Sequence, residues 1–309
     1  MDNSNAKINE TAIMVAYGLK DKVVLITGTN NPKGMGAAMV LSYAKQGAKV
    51  AMVYKRMSFD YDEASAKGDC VDSYFKALSM DCSEVEHSIS SHTRDYLAIE
   101  SDISVAENIP VIFDKIEAKL GKVNILINNA AGYPVQDSIF NIRLDDIKST
   151  YETTVQGTIM MIREFVKRGY GELIESGFRD IQETSMGVGT YKPLHTDAQY
   201  GRIVNFSTDT AQIMSGQLAY GSSKAAVEAF TRSIAMELGY LGITVNAIAP
   251  GPTQTGWMNP ELIQRVLPDI PIARIGTPQD IADTVLFLTS DKASWVTGQV
   301  IKVSGGHGL

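Results

Sequence analysis

The sequence has little of what marks secreted, membrane-spanning or nucleic-acid-binding proteins. It has two cysteines in 309 residues, no apolar run near the roughly 18 residues of a membrane helix, and no signal-peptide pattern at its start. Its 28 basic residues are outnumbered by 35 acidic ones, giving a net charge of −7, which disfavours binding to nucleic acid or to an anionic membrane. We therefore expect a cytoplasmic protein without a nucleic-acid or membrane partner.

The cysteines and histidines are also too few, and wrongly spaced, for a metal centre. Cys70 and Cys82 lie in a polar stretch with no histidine pair at zinc spacing. We expect no bound metal. We expect two reduced thiols, with a regulatory disulfide as the less favoured alternative.

Short apolar, β-branched runs alternate with glycine turns and amphipathic stretches along most of the chain. This alternation is typical of an α/β fold with a doubly wound parallel sheet covered by helices on both faces. It predicts one Rossmann-type domain over 21–309 behind an N-terminal extension, 1–20. The predicted strands are 23–27, 49–54, 96–102, 123–130, 201–208, 243–250 and 298–306, and the predicted helices are 36–47, 109–120, 144–167, 221–239 and 278–289.

Two stretches exceed what a seven-stranded sheet needs. The polar insert 56–94 follows the second strand, and the sequence leaves open whether it is a functional lid or peripheral. The insert 169–199 leads into the start of the fifth strand, far from a site at the carboxyl edge, so decoration or subunit contact is favoured. The extension carries an apolar patch, Ile13 to Tyr17, suited to packing on the body or on a neighbouring subunit.

Three glycines form a turn between the first strand and the first helix. Gly28 follows the strand directly, and Gly34 and Gly36 open the helix. Glycine lets backbone amides and a helix N-terminus approach a pyrophosphate closely. The pattern predicts a dinucleotide-binding turn, although a tight turn without a ligand would give the same triplet.

The choice of dinucleotide is read from charge at the end of the second strand. The residues there are Tyr54, Lys55 and Arg56, and Lys33 adds a positive charge in the glycine turn. Cations suit a 2′-phosphate, whereas NAD is usually held there by an acid. We therefore predict NADP(H), with NAD(H) less favoured. The alternative is that these are solvated surface cations.

A candidate catalytic group lies on the helix after the fifth strand. Tyr220 and Lys224 are four residues apart, on one helix face. An ammonium there is expected to lower the tyrosine pKa and make proton transfer feasible near neutral pH. Ser207, thirteen residues before Tyr220, ends the fifth strand, where its hydroxyl could hold a substrate oxygen.

Taken together, these motifs resemble the short-chain dehydrogenase/reductase family, and its 3-oxoacyl-[acyl-carrier-protein] reductase-like members in particular. The resemblance runs from about Leu19 to Gly306, outside the two inserts. Its elements are TGTNNPKGMG, Asp102 in SDIS, INNAAG, Ser207, YGSSK, APGPTQT, PIARIGTPQDIA and WVTGQVIKVSGG.

The resemblance implies a role for each matching residue. Tyr220 would be the general acid in reduction, Lys224 would lower the pKa of Tyr220 and bind the nicotinamide ribose, and Ser207 would orient the carbonyl. The implied cofactor contacts are Gly28, Asn30, Lys33, Gly34, Met35 and Gly36 at the turn, Tyr54, Lys55 and Arg56 at the second strand, Asp102, Ile103, Asn129 and Ala130 on the adenosine side, and Pro250, Gly251, Thr253 and Thr255 near the carboxamide, together with Tyr220 and Lys224.

Three positions depart from the family pattern. Thr154 stands where the family commonly has an asparagine that completes the proton relay, so we expect a slower or differently built relay, with Thr154 counted among the catalytic residues. The glycine turn is two residues longer through Asn31 and Pro32, and Ala131 replaces a usual glycine.

The sequence therefore predicts an oxidoreductase that interconverts a ketone and a secondary alcohol with NADP(H). An NADP(H)-binding sensor or scaffold with little turnover is the alternative, and a nucleotide-sugar enzyme would need a longer C-terminal domain. The segment 254–270 is expected to wall the site of a small-molecule substrate, although its apolar side chains would equally pack a lid helix. The resemblance also implies a homotetramer built through the helices 144–167 and 221–239 and the C-terminal strand region.

Overall fold

The computed structural model describes residues 17–132, 137–177 and 200–309, except for the side chains of 173–177. The strands are β1 (Val23–Thr27), β2 (Lys49–Tyr54), β3 (Tyr96–Glu100), β4 (Ile125–Asn128), β5 (Gly201–Phe206), β6 (Ile243–Pro250) and β7 (Val300–Val303). The α-helices are α1 (Met35–Lys45), α2 (Val71–Ser79), α3 (Ser83–Ile89), α4 (Asn108–Lys119), α5 (Leu144–Tyr151), α6 (Thr158–Gly177), α7 (Leu218–Leu238), α8 (Pro260–Val266) and α9 (Pro278–Thr289). A π-helical turn (Glu152–Gly157) joins α5 to α6.

The seven strands form one parallel sheet, as the sequence predicted, and their order in the sheet is β3-β2-β1-β4-β5-β6-β7. The chain reverses its direction of winding between β1 and β4, so the crevice for a ligand lies at the carboxyl ends of these two strands. Apolar strands are expected in a sheet covered on both faces, and every residue of β1, β4, β5 and β6 is buried.

Each face of the sheet has its own hydrophobic core. One core joins the sheet to α1, α3 and α9, with Tyr43 and Met39 fully buried. The other joins the sheet to α4, α6 and α7 around Phe113 and Phe165. Within the described residues, no helix is long and apolar enough to cross a bilayer.

Both inserts contain helical residues that the sequence analysis did not predict. The stretch 56–94 contains α2 and α3, and α3 buries Val85 and Ile89 in the core beside α1. Helix α6 continues to Gly177, ten residues beyond the predicted end of this helix, and Gly169 and Gly171 within it do not take the positive φ that often ends a helix. The remainder of the second insert, 178–199, and the patch Ile13 to Ala16 lie outside the described residues.

Candidate active site

The glycine turn has the close packing that its sequence predicted. Gly28 has a φ of +74°, and a Cβ there would lie 2.9 Å from the Asn129 amide nitrogen. A Cβ on Gly36 would collide with the Gly28 carbonyl, and one on Gly34 would lie 3.0 Å from the Asn31 carbonyl oxygen. Turn and helix therefore pack backbone against backbone, leaving room for a ligand to approach main-chain amides.

Helix α1 starts at Met35, directly behind this turn. Its N-cap is Gly34, which has no side chain to bond the first-turn amides, and the first turn carries no acidic residue. Such a helix end keeps its positive pole and its N–H donors for an anion. Gly34, Met35 and Gly36 thus lie where a pyrophosphate would bind.

Three asparagines hold the turn in place. Asn129 donates from its side chain to the carbonyls of Thr27 and Gly28, both at 2.9 Å. Asn30 donates to the carbonyls of Leu78 and Met80, at 2.9 and 3.0 Å, so its amide anchors the end of α2. Asn31 donates to the Thr255 carbonyl at 3.0 Å. The side chains of Asn30 and Asn129 therefore shape the turn, which was not part of the sequence prediction. The next residue, Ala130, also packs against the turn. Its Cα lies 3.1 Å from the position that a Cβ on Gly28 would occupy.

All three cations expected to attract a 2′-phosphate form ion pairs in this structure. Lys55 lies 2.5 Å from Asp102, Arg56 lies 2.8 Å from Glu100, and Lys33 lies 2.6 Å from Asp69. The three basic side chains are more than half exposed, and exposed pairs contribute little stability, so a phosphate could compete for them. Tyr54, which precedes them, has its pKa raised by burial and by Glu100.

Asp102 lies next to these cations, after β3. Burial opposes its ionisation, but hydrogen bonds from Lys55 and Ser104 outweigh that effect and hold the pKa of Asp102 below its usual range. Its neighbour Ile103 is 5% exposed, with its carbonyl 2.8 Å from the position of a Gly157 Cβ. The loop carrying both residues is thus packed tightly against the π-helical turn.

Tyr220 and Lys224 lie one turn apart near the start of α7, at the carboxyl edge. The Lys224 Nζ is 5.5 Å from the centre of the Tyr220 ring and donates to the Phe206 carbonyl at 2.7 Å. Burial lowers the pKa of Lys224 to about 7, which weakens its charge near neutral pH. The pKa of Tyr220 is raised, by burial and then by Tyr74 and Asp209. The sequence expectation that Lys224 lowers the pKa of Tyr220 is not met here, because the ammonium bonds a carbonyl instead of the phenol.

Ser207, expected to orient the carbonyl, has a hydrogen-bond partner on α7. Ser207 is 4% exposed, and its hydroxyl donates to the Glu228 carboxylate at 2.8 Å, with the Lys224 carbonyl 3.3 Å away. Side chains alternate along a strand, and Asn205, two residues earlier, also points to α7, where it bonds Thr231. The hydroxyl of Ser207 is therefore committed to the packing of β5 against α7.

The next two residues of this edge were missed by the sequence analysis. Thr208 is half-buried, and its hydroxyl has no hydrogen bond to any described part of the chain. Asp209 is 7% exposed and bonds His307 of the C-terminal tail at 2.6 Å. Burial raises the pKa of Asp209, and His307 opposes this rise. Thr208 and Asp209 could have been found from the sequence by considering the polar side chains that directly follow β5 and Ser207.

Thr154 lies in the π-helical turn and is 1% exposed. Its hydroxyl oxygen accepts the Gly132 amide at 3.0 Å, which joins the end of the β4 loop to the helix. A π turn leaves backbone groups without their usual helical partners, a feature often found at functional sites. Thr154 therefore lies at the predicted place, with its hydroxyl oxygen already engaged by the backbone.

The loop after β6 closes the remaining side of the crevice. Pro250 ends β6, and a Cβ on Gly251 would lie 2.9 Å from the Asp209 carboxylate. The Thr253 hydroxyl donates to the Gly251 carbonyl at 2.9 Å, and Thr255 accepts the bond from Asn31 through its carbonyl. These contacts bring the glycine turn, the end of β5 and the loop after β6 together around one crevice.

The residues present fit a nicotinamide dinucleotide. A closely packed glycine turn leads into a helix with an uncapped N-terminus, and Tyr220 and Lys224 lie together at the same sheet edge. Among the described residues, no group of three or more acidic, cysteine or histidine side chains is arranged to bind a metal. The fold and the site thus define a doubly wound α/β protein with a dinucleotide crevice.

Comparison with known proteins gives the family. The model described as "short chain dehydrogenase" matches residues 75–175, and the model described as "Enoyl-(Acyl carrier protein) reductase" matches 184–307. The uncharacterized oxidoreductase YjdA of Bacillus subtilis is 31% identical over 291 residues, covering 93% of this chain and 97% of the relative. A 3-oxoacyl-[acyl-carrier-protein] reductase, FabG, of Staphylococcus aureus is 29% identical, covering 92% of this chain and 97% of FabG.

Solved structures agree with these matches. A short chain dehydrogenase from Bacillus anthracis has a TM-score of 0.72 at 25% identity, covering 94% of this chain and 98% of that one. A 3-ketoacyl-(acyl-carrier-protein) reductase from Brucella melitensis, complexed with NADH, has a TM-score of 0.70 at 25% identity, covering 94% and 100%. The chain belongs to the short-chain dehydrogenase/reductase family, whose members are oxidoreductases acting on CH–OH and C=O groups.

Proposed function

We propose that this protein interconverts a ketone and a secondary alcohol with NADP(H), using Tyr220 as its general acid and base. The observation that carries the proposal is the placement of Tyr220 and Lys224, one helical turn apart at the carboxyl edge, in the same crevice as the glycine turn. The bound cofactor would supply the hydride. The chain itself would supply a proton at the Tyr220 hydroxyl, orientation of the carbonyl and exclusion of water.

In the reductive direction the Tyr220 hydroxyl would protonate the carbonyl oxygen. Burial favours the neutral phenol, so Tyr220 would hold its proton until negative charge develops on the substrate oxygen. Lys224 would stabilise the resulting phenolate from a position 5.5 Å from the ring centre. The lowered pKa of Lys224 makes this stabilisation weaker as the pH rises above about 7.

Thr208 would orient the carbonyl in place of Ser207. Its hydroxyl follows β5 at the same edge and has no hydrogen bond within the described residues, whereas the Ser207 hydroxyl donates to Glu228. A hydroxyl without a protein partner is available to donate to a substrate oxygen, where it would add electrostatic stabilisation. Thr154 would contribute to the proton relay through the backbone of its π turn.

NADP(H) is favoured over NAD(H) by charge. Lys55 and Arg56 follow β2, and Lys33 lies in the glycine turn, so cations are present in both segments expected to approach a 2′-phosphate. Their acidic partners would release them at little cost, because the pairs are exposed. The related structure from Brucella melitensis contains NADH, so the cofactor choice of this chain needs its own measurement.

The test is oxidation of NADPH and of NADH, followed at 340 nm, over a panel of ketones, diketones and ketoacyl esters. We expect turnover that prefers NADPH and that is lost in Tyr220→Phe, while the variant still binds NADPH. Binding of NADPH without reduction of any carbonyl would contradict the proposal and would favour the sensor function.

A further inference from the structure

Helix α2 of the first insert crosses the crevice and is fastened at both ends. At its C-terminal end, the Leu78 carbonyl accepts the Met57 amide at 3.0 Å, in the chain leaving β2, and the Asn30 side chain of the glycine turn at 2.9 Å. At its N-terminal end, the amide of the N-cap residue Cys70 donates to the Gly256 carbonyl at 3.0 Å, in the segment after β6. None of the α2 residues is fully buried, so the helix is held mainly by these end contacts.

A cleft separates α2 from the glycine turn. It is lined by Ser73, Tyr74 and Ala77 of α2, by the turn residues 31–33, and by Thr255 and Gly256 of the segment after β6. The Lys33 side chain closes one side of the cleft, since its Cδ lies 3.2 Å from the position of a Cβ on Gly256. None of the proposed catalytic residues is among the described residues that line this cleft, so it belongs to the cofactor half of the crevice.

Two hydroxyls at the cleft have a hydrogen to donate. The Cys70 thiol donates to the Ser73 hydroxyl oxygen at 3.3 Å, which leaves the hydroxyl hydrogen of Ser73 available. Thr255 is 8% exposed, and its hydroxyl has no hydrogen-bond partner in the described part of the chain. A buried hydroxyl without a partner is costly, so a ligand at this place is expected to complete it.

The charge at the cleft favours an anionic ligand. Lys33 lies on its wall and pairs with Asp69 at 2.6 Å, and both side chains of this pair are more than a third exposed. A phosphate could therefore take the ammonium from Asp69 at little cost. Hydroxyl donors beside a cation are the groups that bind phosphate oxygens.

We propose that α2 covers the bound dinucleotide and that the Ser73 hydroxyl, together with Thr255, donates to its pyrophosphate. The inference rests on the cofactor of the proposed function. The pyrophosphate fits better than the 2′-phosphate, because the cleft lies between the glycine turn and the segment after β6, and Lys55 and Arg56 do not line it. Since NADPH and NADH share the pyrophosphate, Ser73 is expected to serve both.

The test compares Ser73→Ala, Ser73→Thr and the control Ser79→Ala in the full chain. Ser79 lies on the same helix, and its hydroxyl donates to the Phe75 carbonyl at 2.9 Å. The Kd values of NADPH and NADH are measured by fluorescence titration. Ser73→Ala should raise both roughly tenfold, because a charge-assisted hydrogen bond is lost. Ser73→Thr, which keeps the hydroxyl, should stay within about threefold of the wild type, and Ser79→Ala within about twofold.

Hydrogen exchange gives a second readout that needs no turnover. Saturating NADPH should slow the exchange of the amides of 71–79 in the wild type, because the ligand would then hold α2 along its length as well as at its ends. The protection should be smaller in Ser73→Ala at the same NADPH concentration. The amides of 108–119, in α4, serve as the comparison and should change little.

Each outcome supports or overturns the inference. Unchanged Kd values in Ser73→Ala would overturn it, and a rise confined to NADPH would overturn it by placing Ser73 at the 2′-phosphate. An equal rise in Ser73→Thr or Ser79→Ala would show a general disturbance of α2 and would also contradict it.

The same data separate this inference from the proposed function. A wild type that binds neither nucleotide would overturn both. A tenfold loss of affinity for both nucleotides in Ser73→Ala, in a protein that reduces no carbonyl, would support the inference and contradict the proposed reaction.

Discussion

At the residue scale, the two hydroxyls at the end of β5 have different surroundings. Ser207 donates to a buried carboxylate, and Thr208 has no hydrogen-bond partner among the described residues. We predict that Thr208→Val lowers kcat roughly 10²-fold or more while Tm is kept, because a donor to the reacting oxygen is lost. Ser207→Ala should instead lower stability by about 1–3 kcal/mol, because Glu228 would lose its hydrogen bond.

Steady-state kinetics and thermal unfolding of both variants check this division of roles. The matched isosteric pair is completed by Thr208→Ser, which should keep most of the activity. A large loss of kcat in Ser207→Ala with full activity in Thr208→Val would return the orienting role to Ser207.

The paired cations give a second residue-scale prediction. Replacing Lys55 and Arg56 with alanine should raise the KM for NADPH about tenfold or more, since charge-assisted bonds to the 2′-phosphate are lost. The KM for NADH should stay nearly constant. Lys115→Ala, an exposed cation of α4, serves as the control. Equal changes for both cofactors would argue against a phosphate site at these residues.

The residue types of the site could be predicted from sequence better than their contacts. Tyr220, Lys224 and the three glycines lie together as expected, because helix periodicity and strand ends fix their positions. Spacing from Tyr220 selected Ser207 but could not show the direction of its hydroxyl. That direction depends on Glu228, two turns along α7 from Tyr220.

At the scale of elements, the start of helix α9 is marked by a capping motif. Thr277 and Asp280 form a capping box, Pro278 occupies the first turn, and Arg274 bonds both Asp280 oxygens at 2.7 Å. Helix α9 was predicted with its observed bounds. Helix α2 was missed, because its side chains are only partly buried and its position depends on contacts of its ends.

This cap leads to a stability prediction with a defined pH dependence. Arg274 first, and then bonds from Thr277, hold the pKa of Asp280 far below its usual range. A carboxyl whose pKa is depressed by folding stabilises the protein above its unfolded pKa of about 4, and that contribution is lost as the pH falls through the folded value. Asp280→Asn should therefore cost about 1 kcal/mol at pH 7.

Urea unfolding of wild type and Asp280→Asn at several pH values measures the difference. The difference in free energy of unfolding between the two proteins should have its full value at neutral pH and should decrease as the pH falls below about 4. If this difference in free energy of unfolding stayed constant down to pH 3, the ionised Asp280 carboxylate would not be the source of the stabilisation.

At the scale of the whole molecule, the sheet could be predicted almost completely, because buried parallel strands have a strong sequence pattern. The order of all seven strands agrees with the doubly wound prediction. The position of the first insert over the crevice could not be predicted, since it depends on single bonds such as that from Cys70 to Gly256.

Apolar side chains remain exposed where the family resemblance implied subunit contacts. Leu144 of α5 is 64% exposed, Met236 of α7 is 55% exposed, and Trp295 before β7 is 98% exposed. We propose a homotetramer and predict a mass roughly four times the 33.6 kDa of the chain, measured by size-exclusion chromatography with light scattering.

Substitutions at exposed apolar residues test which surface forms the contacts between subunits. Leu144→Asp and Met236→Asp should lower the measured mass, whereas Val111→Asp on the exposed side of α4 should leave it unchanged. A monomer in the wild type would contradict the proposed tetramer.

The central claim is that the protein transfers hydride from NADPH to a carbonyl carbon while Tyr220 supplies the proton to the oxygen, and isotope transfer tests it most directly. NADPH carrying deuterium in place of both C4 hydrogens would be incubated with a ketone that the protein reduces, and the alcohol would be analysed by mass spectrometry. The account predicts an alcohol one mass unit heavier with the wild type and no labelled alcohol with Tyr220→Phe, although this variant still binds NADPH. Labelled alcohol formed equally by Tyr220→Phe, or none formed by the wild type with any ketone, would contradict the account.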